Sequence, residues 1–355
     1  MEEMFRRARL RDWLTLLLVV LVLSETLLYM DLLQRYTQLQ RSFSELHSIL
    51  RGIRPFRTPF NASDVKAFLE AQYVPEAGLL RAATIAVPDA ERIYVASDNL
   101  LASRALQVLG SQIAYNVCRT LDLYYNGGFD GQHEILIGVR AEHIGGATGL
   151  VVYNKTIYSE KFGMEFTICR EVHETGGDSY DKYADLIVYV ALKRLMSGDF
   201  EEAKTLMDLL MDMWDGYGFR DTAWEAENLY ESYKLALAVY LWRALNAAKP
   251  SYTKYADVIA RITEIAYYVC TDWKRGIRTH YRVVDGRVIP EGDCNVETTS
   301  IYVLAYLSDY PVRIGLMSQK NWDKTVEDFR AYPLTFPTQT LNAPKKVHEK
   351  PVKAS

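Results

Sequence analysis

One stretch of the chain concentrates side chains that could do chemistry. In the segment MDMWDGYGFRDTAWEAEN, residues 211–228, carboxylates alternate with aromatic rings around two glycines that end a helical pattern. Paired carboxyl groups can act as general acid and base, and aromatic rings can stack on the rings of a ligand. The stretch therefore indicates either the rim of a site or an ordinary loop, and the neighbouring elements bear on that choice.

Seven segments have the apolar periodicity of helices. They span residues 97–109, 111–125, 180–197, 199–214, 226–248, 252–273 and 295–308. The links at 110, 198 and 249–251 are short and require antiparallel neighbours. The other three links are long, so in an up-and-down array they share one end. Loops held on a rigid helical frame are where functional sites usually lie.

The long-loop end collects the candidate functional side chains. The candidate acid–base carboxylates are Asp98, Asp178, Asp215, Asp221 and Glu297. The candidate substrate-binding side chains are Trp214, Tyr217, Phe219, Trp224, His280 and Tyr281. Each has a structural alternative, because an aspartate at a helix start can simply cap it and Asp-Gly commonly ends a helix. The number of such residues at one end favours a site.

Motifs for several other chemistries are absent from the sequence. There is no Gly-x-x-x-x-Gly-Lys loop, no Cys-x-x-Cys, no His-Glu-x-x-His and no Gly-x-Ser-x-Gly. We therefore predict no cofactor and no metal site. The formal net charge of −4 gives no reason to expect nucleic acid as a partner.

Two regions have the composition of strands. Residues 130–173 are rich in β-branched and aromatic side chains with glycine turns, which predicts a small β-meander inserted between helices. The segment IRTHYRVVDGRVIPEG, residues 277–292, predicts a β-hairpin.

The N-terminal region predicts a membrane anchor. Residues 1–12 contain four arginines, Arg6, Arg7, Arg9 and Arg11, and residues 13–30 are apolar apart from one carboxylate, Glu25. Eighteen helical residues span about 27 Å, enough for a bilayer core. The excess of arginine before the span predicts a cytoplasmic N-terminus, a main domain outside the cell and membrane lipid as a partner. A cleaved signal peptide and an ordinary buried helix are the alternatives.

The segments after the anchor complete the predicted organisation. In residues 31–52 apolar side chains recur at alternating steps of three and four, which is typical of a coiled-coil stalk and would make a homo-oligomer. The same stripe could instead pack on the protein's own domain. Residues 53–63 predict a linker, 64–332 the main helical domain and 333–355 a disordered tail.

Two further features fit a location outside the cell. Asn61 and Asn154 each begin a glycosylation triplet. The four cysteines are even in number, and two pairings are favoured, each of which would tie a helix end to a long connection. The favoured pairs are Cys270 with Cys294 and Cys118 with Cys169. Four buried thiols are the equally weighted alternative.

The series of helical hairpins resembles the α/α-toroid, or six-hairpin glycosidase-like, superfamily. The resemblance lies in the DNLLASRAL helix start, in residues 184–219 and in NVETTSIYVLAYL, within residues 90–310. About four hairpins are counted here instead of six, so the resemblance implies a mainly α fold forming a partial toroid. It also implies a cleft at the loop end, in which carboxylates act as acid, base or nucleophile and aromatic rings bind sugars.

Two functions are consistent with these observations. The first is a carbohydrate-active enzyme, hydrolase- or lyase-like, anchored outside the cell, with a polysaccharide as ligand. The second is a non-catalytic cell-envelope binding or assembly module displayed on a membrane-anchored stalk. An enzyme is expected to have a partly buried carboxyl group with a raised pKa facing a second one. A structural module is expected to have its carboxylates engaged as caps and ion pairs.

Overall fold

The chain forms two units, Met1–Pro55 and Phe56–Ser355. The computed structural model describes Tyr29, Met30, Leu32, Arg35 and the segments 58–83, 92–124, 133–138, 150–159, 163–173, 180–223, 228–270, 276–308 and 348–350. In the first unit the described residues are helical, and their side chains are exposed. All elements described below belong to the second unit.

The predicted membrane anchor is not supported. Across the segments just given, no helix has both the length and the apolar character needed to cross a bilayer. Residues 13–28 of the predicted anchor and most of the predicted stalk, 31–52, lie outside the described residues. The predictions of a transmembrane anchor, a single-pass protein and a cell-membrane location are corrected accordingly.

Eight α-helices are described in the second unit. They are α1 (Ala62–Ala71), α2 (Ala96–Val108), α3 (Ile113–Tyr124), α4 (Ala184–Met196), α5 (Phe200–Asp212), α6 (Ser232–Ala248), α7 (Ala256–Val269) and α8 (Val296–Leu307). The last seven confirm the seven predicted helices, with ends that differ by up to six residues. Helix α1 was not predicted, because its sequence was taken as the end of a linker and the start of the main domain.

The helices pack as an inner row with outer partners. Helix α2 lies against α8, α8 against α6, and α6 against α4, while α3, α5 and α7 pack on α2, α4 and α6. The sequences explain this division. In α6 and α8 nearly every side chain is buried, as expected for helices that are apolar all round. Helix α7 buries one stripe at steps of three and four, namely Ile259, Ile262, Ile265, Ala266 and Val269.

Three sheets are present among the described residues, which corrects the predicted fold class of a helical array with one β-meander. The first pairs β1 (Tyr73–Val74) with β2 (Leu79–Leu80), and the second has the order β3-β5-β4-β9. In that sheet β4 (Leu150–Ser159) and β5 (Met164–His173) are antiparallel, and β5 pairs in parallel with β3 (Ile93–Val95). The edge strand is β9 (His348–Lys350), and the start of the predicted meander, His133–Ile137, is a 3-10 helix.

The third sheet leads directly into two inner helices. It has the order β6-β7-β8, with β6 (Leu229–Glu231) preceding α6 and β8 (Arg287–Cys294) preceding α8. Strands β7 (Arg278–Val284) and β8 form the predicted hairpin, whose turn residues Asp285 and Gly286 have φ of 48° and 73°. Two positive φ values are what a two-residue turn between twisted strands requires. Because β6 and β8 flank β7, the starts of α6 and α8 lie on the same side of the domain.

Candidate functional site

Four titratable side chains meet where inner helices begin. Asp185, Tyr233 and Glu297 are each the second residue of their helix, in α4, α6 and α8 respectively. The Tyr233 hydroxyl lies 3.4 Å from Asp185 Oδ2. His133, the first residue of the 3-10 helix, places Nε2 at 3.1 Å from Glu297 Oε1. We call these four residues the carboxyl cluster.

The two carboxyl groups of the cluster have pKa values shifted in opposite directions. Burial raises the pKa of Asp185 above its usual value, and the nearby charge of Lys234 only partly offsets this. Burial also disfavours the charge of Glu297, but the hydrogen bond from His133 and its charge outweigh burial and lower the Glu297 pKa. Asp185 therefore keeps its proton to higher pH than an ordinary aspartate, whereas Glu297 is ionised.

Tyr233 connects the two carboxyl groups electrostatically. Its pKa lies well above the usual value, chiefly because of burial and then because of the negative charges of Asp185, Glu231 and Glu297. The phenol therefore remains a hydrogen-bond donor at neutral pH. The side chains of His133 and Glu297 keep 20% and 27% of their surface exposed, so solvent and a small group can reach them. A carboxyl group with a raised pKa and another with a lowered pKa are what a general acid and a general base require.

A second group of charges lies beside Asp185. The Lys234 ammonium is 2.7 Å from Asp221 Oδ2 and also contacts Glu231, and the Lys234 and Asp221 side chains are 4% and 0% exposed. Asp221 Oδ2 also accepts the N–H of Ala184, the first residue of α4, at 2.8 Å. Asp221, one of the predicted carboxylates, therefore caps α4 from the loop between α5 and α6. We call Lys234, Asp221 and Glu231 the lysine clamp.

Asp215 lies in a tight loop within the acidic and aromatic stretch 211–228. Its Oδ1 accepts the N–H groups of Tyr217 and Gly218 at 2.9 and 3.0 Å. Its Oδ2 accepts the Tyr230 hydroxyl at 2.6 Å and is paired with Arg220. Partial burial opposes the charge of Asp215, but these hydrogen bonds outweigh it and lower the pKa. We call residues 214–220 the aspartate loop.

The aromatic residues of the aspartate loop pack against the hydrophobic core, with Phe219 buried and Trp214 and Tyr217 partly buried. Phe219 is 3% exposed, and its ring lies 5.3 Å from that of Trp214, with which it forms a β-bridge. Tyr281, which is fully buried, donates its hydroxyl proton to the carbonyl of Tyr217 at 2.7 Å. Gly218 is required by this packing, because a Cβ there would overlap the Tyr230 ring.

The remaining predicted site residues are dispersed. Asp98 is buried in the first turn of α2, and half-buried His280 in β7 places Nδ1 at 2.9 Å from Thr279 Oγ1. Asp178 and Trp224 lie outside the described residues. Of the five predicted carboxylates, the structure brings Asp221 close to Asp185, and it brings Glu297 close to Tyr233 and His133. It places Asp215 in a separate loop.

Sequence reasoning missed Asp185, Tyr233, Lys234 and the role of His133. A positional signal was present, because Asp185, Tyr233 and Glu297 share the second position of a helix that follows a long connection. The predicted start of α4 fell four residues too early, and that of α6 six residues too early. Asp185 and Tyr233 were therefore predicted to lie inside their helices and not at the helix starts.

The modification candidates have structural surroundings of their own. The structure has no disulfide between the four cysteines, of which Cys118, Cys270 and Cys294 are buried and Cys169 is half-buried. The favoured pairing stays a prediction. Asn61 is exposed and caps α1 by accepting the Ser63 N–H at 3.0 Å. Asn154 is half-buried in β4, between β5 and β9.

Among the described residues there is no group of three or more His, Cys, Asp or Glu side chains that could hold a metal ion. No family model, curated protein or solved structure matches the chain. The resemblance to the α/α-toroid superfamily therefore stays a hypothesis.

Proposed function

We propose that the second unit is a carbohydrate-active enzyme that cleaves glycosidic bonds by general acid–base chemistry, with Asp185 as the acid and Glu297 as the base. The observation that carries the proposal is the geometry of two carboxyl groups at helix starts: the Tyr233 hydroxyl lies 3.4 Å from Asp185 Oδ2, and His133 Nε2 lies 3.1 Å from Glu297 Oε1. The pKa values of the two carboxyl groups are shifted in opposite directions, which supports separate roles. Enzymes commonly separate the roles of two carboxyl groups in this way.

The roles follow from the protonation states. In hydrolysis, the Glu297 carboxylate takes a proton from water as the water oxygen bonds to the anomeric carbon. The bond from that carbon to the leaving oxygen breaks, and the oxygen takes the proton of Asp185. His133 keeps Glu297 ionised and oriented, because its Nε2 is 3.1 Å from Glu297 Oε1. The protonated Tyr233 hydroxyl supports the charge that develops on Asp185 when it loses its proton.

A lyase reaction is the variant of the same proposal. There Glu297 would remove a proton from carbon, and Asp185 would again protonate the leaving oxygen. The choice of a glycan as substrate comes from the superfamily resemblance and from the position of the cluster at the starts of inner helices.

The test is an incubation of the full-length protein with a panel of neutral and acidic polysaccharides, with products read by mass spectrometry. We expect shortened chains from the wild type and none from Asp185→Asn or Glu297→Gln. Asp257→Asn is a matched control, because Asp257 is exposed and is also the second residue of its helix, after the same Lys-Tyr-Ala sequence. Intact glycans from folded wild-type protein would contradict the proposal.

One observation favours a second candidate, a non-catalytic glycan-binding module. Glu297 and Asp221 are both engaged by cations, as expected of structural carboxylates. Calorimetric titration with the same panel separates the two, because the module would bind a glycan that stays intact. An enzyme would release products from the glycan that it binds.

A further inference from the structure

Lys234 is an unusual residue for its position. It is the third residue of α6, and its side chain is 4% exposed. A buried ammonium is costly unless it is paired, and Lys234 is paired with both Asp221 and Glu231. The pairing places one cation and two carboxylates between the starts of α4 and α6.

Asp221 links Lys234 to the start of α4. The Asp221 oxygen that lies 2.7 Å from Lys234 Nζ also accepts the Ala184 N–H at 2.8 Å. Beside it, the Thr222 N–H donates to the carbonyl of Lys182 at 2.9 Å. Tyr183, the N-cap residue of α4, makes no side-chain capping bond, so Asp221 supplies the cap.

We propose that Lys234 is a positioning residue for Asp185: by holding Asp221 on the first turn of α4, it fixes the backbone from which Asp185 projects towards Tyr233. The residue preceding Lys234 is Tyr233 itself, whose hydroxyl lies 3.4 Å from Asp185 Oδ2. Two successive side chains of α6 therefore hold the start of α4: Lys234 acts through the capping residue Asp221, and Tyr233 contacts the Asp185 carboxyl group. The inference rests on the proposed function only in naming Asp185 the acid.

The charges around Asp185 give the positioning an electrostatic consequence. Burial of Asp185 raises its pKa, the Lys234 charge and the Leu186 N–H lower it, Asp221 raises it and His133 lowers it. Tyr233 faces the same carboxyl group as a neutral donor. Lys234 is thus the largest of the effects that favour ionisation. Its removal is expected to make Asp185 hold its proton to higher pH.

The experiment follows Asp185 directly. Full-length protein labelled with 13C at aspartate side-chain carboxyl carbons is titrated by NMR, and the Asp185 signal is assigned by its loss in Asp185→Asn. In Lys234→Met we expect the Asp185 midpoint to rise by about one pH unit or more, the size typical of losing a close opposite charge. Lys254→Met is the control, because Lys254 pairs with Asp208 on the surface, and it should leave the midpoint unchanged.

Two further variants distinguish an effect of charge on the Asp185 midpoint from an effect of a loosened fold. Asp221→Asn keeps an oxygen for the Ala184 N–H but removes the negative charge near Asp185, so it should lower the Asp185 midpoint. Lys234→Arg keeps the cation and should stay close to wild type. Opposite shifts in Lys234→Met and Asp221→Asn support the proposal. Shifts of the same sign, or none in the folded proteins, would overturn it.

If Lys234→Met does not fold, Asp221→Asn and Lys234→Arg still decide the outcome, because an Asp185 midpoint that is unmoved in Asp221→Asn contradicts the coupling. The titration requires no substrate. If the glycans stay intact but the Asp185 midpoint shifts as expected, the proposed reaction is contradicted and the positioning role of Lys234 is supported. If glycans are cleaved but the midpoint does not shift, the proposed reaction is supported and the positioning role is contradicted.

Discussion

The aspartate loop and the carboxyl cluster both contain acidic side chains next to aromatic rings, yet they place their carboxylates in opposite situations. In the loop, Asp215 accepts hydrogen bonds at both oxygens from groups of its own neighbourhood. Those bonds lower its pKa. In the cluster, Asp185 lies 3.4 Å from the Tyr233 hydroxyl of α6, and burial raises its pKa.

If the proposed function is correct, the difference separates stabilising carboxylates from reactive ones. A carboxylate that is fully hydrogen-bonded in its charged form stabilises the folded state and is a poor proton donor. A carboxyl group that burial holds in its protonated form costs stability when it ionises, and it can donate a proton. The two regions therefore predict opposite responses to the same substitutions.

The largest effect is expected on activity. On the glycan identified by the panel, Asp185→Asn should lower kcat/KM by about 100- to 10,000-fold, because it removes the proton donor. Asp215→Asn should stay within about tenfold of wild type, because the loop is expected to contribute stability and not a reacting group. Steady-state kinetics of both variants check this. A larger loss for Asp215→Asn than for Asp185→Asn would reverse the comparison.

The second effect is on stability at neutral pH. Asp215→Ala should lower the free energy of unfolding by about 2–4 kcal/mol, because it removes an acceptor bonded to two N–H groups and a hydroxyl. Asp212→Ala, at an exposed position of α5, should change the free energy by less than about 0.5 kcal/mol. Urea unfolding followed by circular dichroism measures both. Equal midpoints for the two variants would contradict the structural role of Asp215.

The third effect is the pH dependence of stability. Asp215 has a lowered folded-state pKa, so its contribution is present above the usual aspartate pKa of about 3.9 and is lost as pH falls through the folded value. Asp185 has a raised folded-state pKa, so its contribution is present below about 3.9 and is lost as pH rises through the folded value.

Urea midpoints across the pH range test these opposite signs. Relative to wild type, Asp215→Asn should lose less stability on the acid side. Asp185→Asn should lose less as pH rises above the usual aspartate range. Identical pH profiles for wild type and Asp185→Asn would show that burial does not penalise the Asp185 charge.

The smallest effect is expected for Arg220. Its side chain is 48% exposed and pairs with Asp215, so Arg220→Ala should lower the free energy of unfolding only slightly. The cost should shrink in high salt, because an exposed pair is screened. Unfolding midpoints at low and high salt check this. A large cost that is independent of salt would mean that the aspartate loop depends on Arg220 more than on its buried hydrogen bonds.

The sequence located seven of the eight described helices of the second unit and its four long strands, β4, β5, β7 and β8, but not the short strands. The β7–β8 hairpin was predicted because both its strands and its turn residues are local. Strands β3 and β6 were missed, since they have three residues each and are strands only through pairing with β5 and β7. Their brevity leaves no alternating pattern to read.

The candidate site was predicted in part. Glu297 and Asp221 were predicted from their types and from the position of the long loops. Asp185 and Tyr233 were missed because the predicted starts of α4 and α6 fell too early. Asp215 was predicted for the density of acidic and aromatic residues around it, and this density is equally typical of a tight, well-bonded loop.

By itself the sequence determined where this protein forms helices, because the apolar periodicity and the turn residues act over a few neighbouring positions. Only the tertiary structure decided which side chains lie next to each carboxyl group and in which direction its pKa shifts. His133 meets Glu297, and Tyr233 meets Asp185, across long separations in the chain. A pKa depends on burial and on such distant partners, and neither is a local property of the sequence.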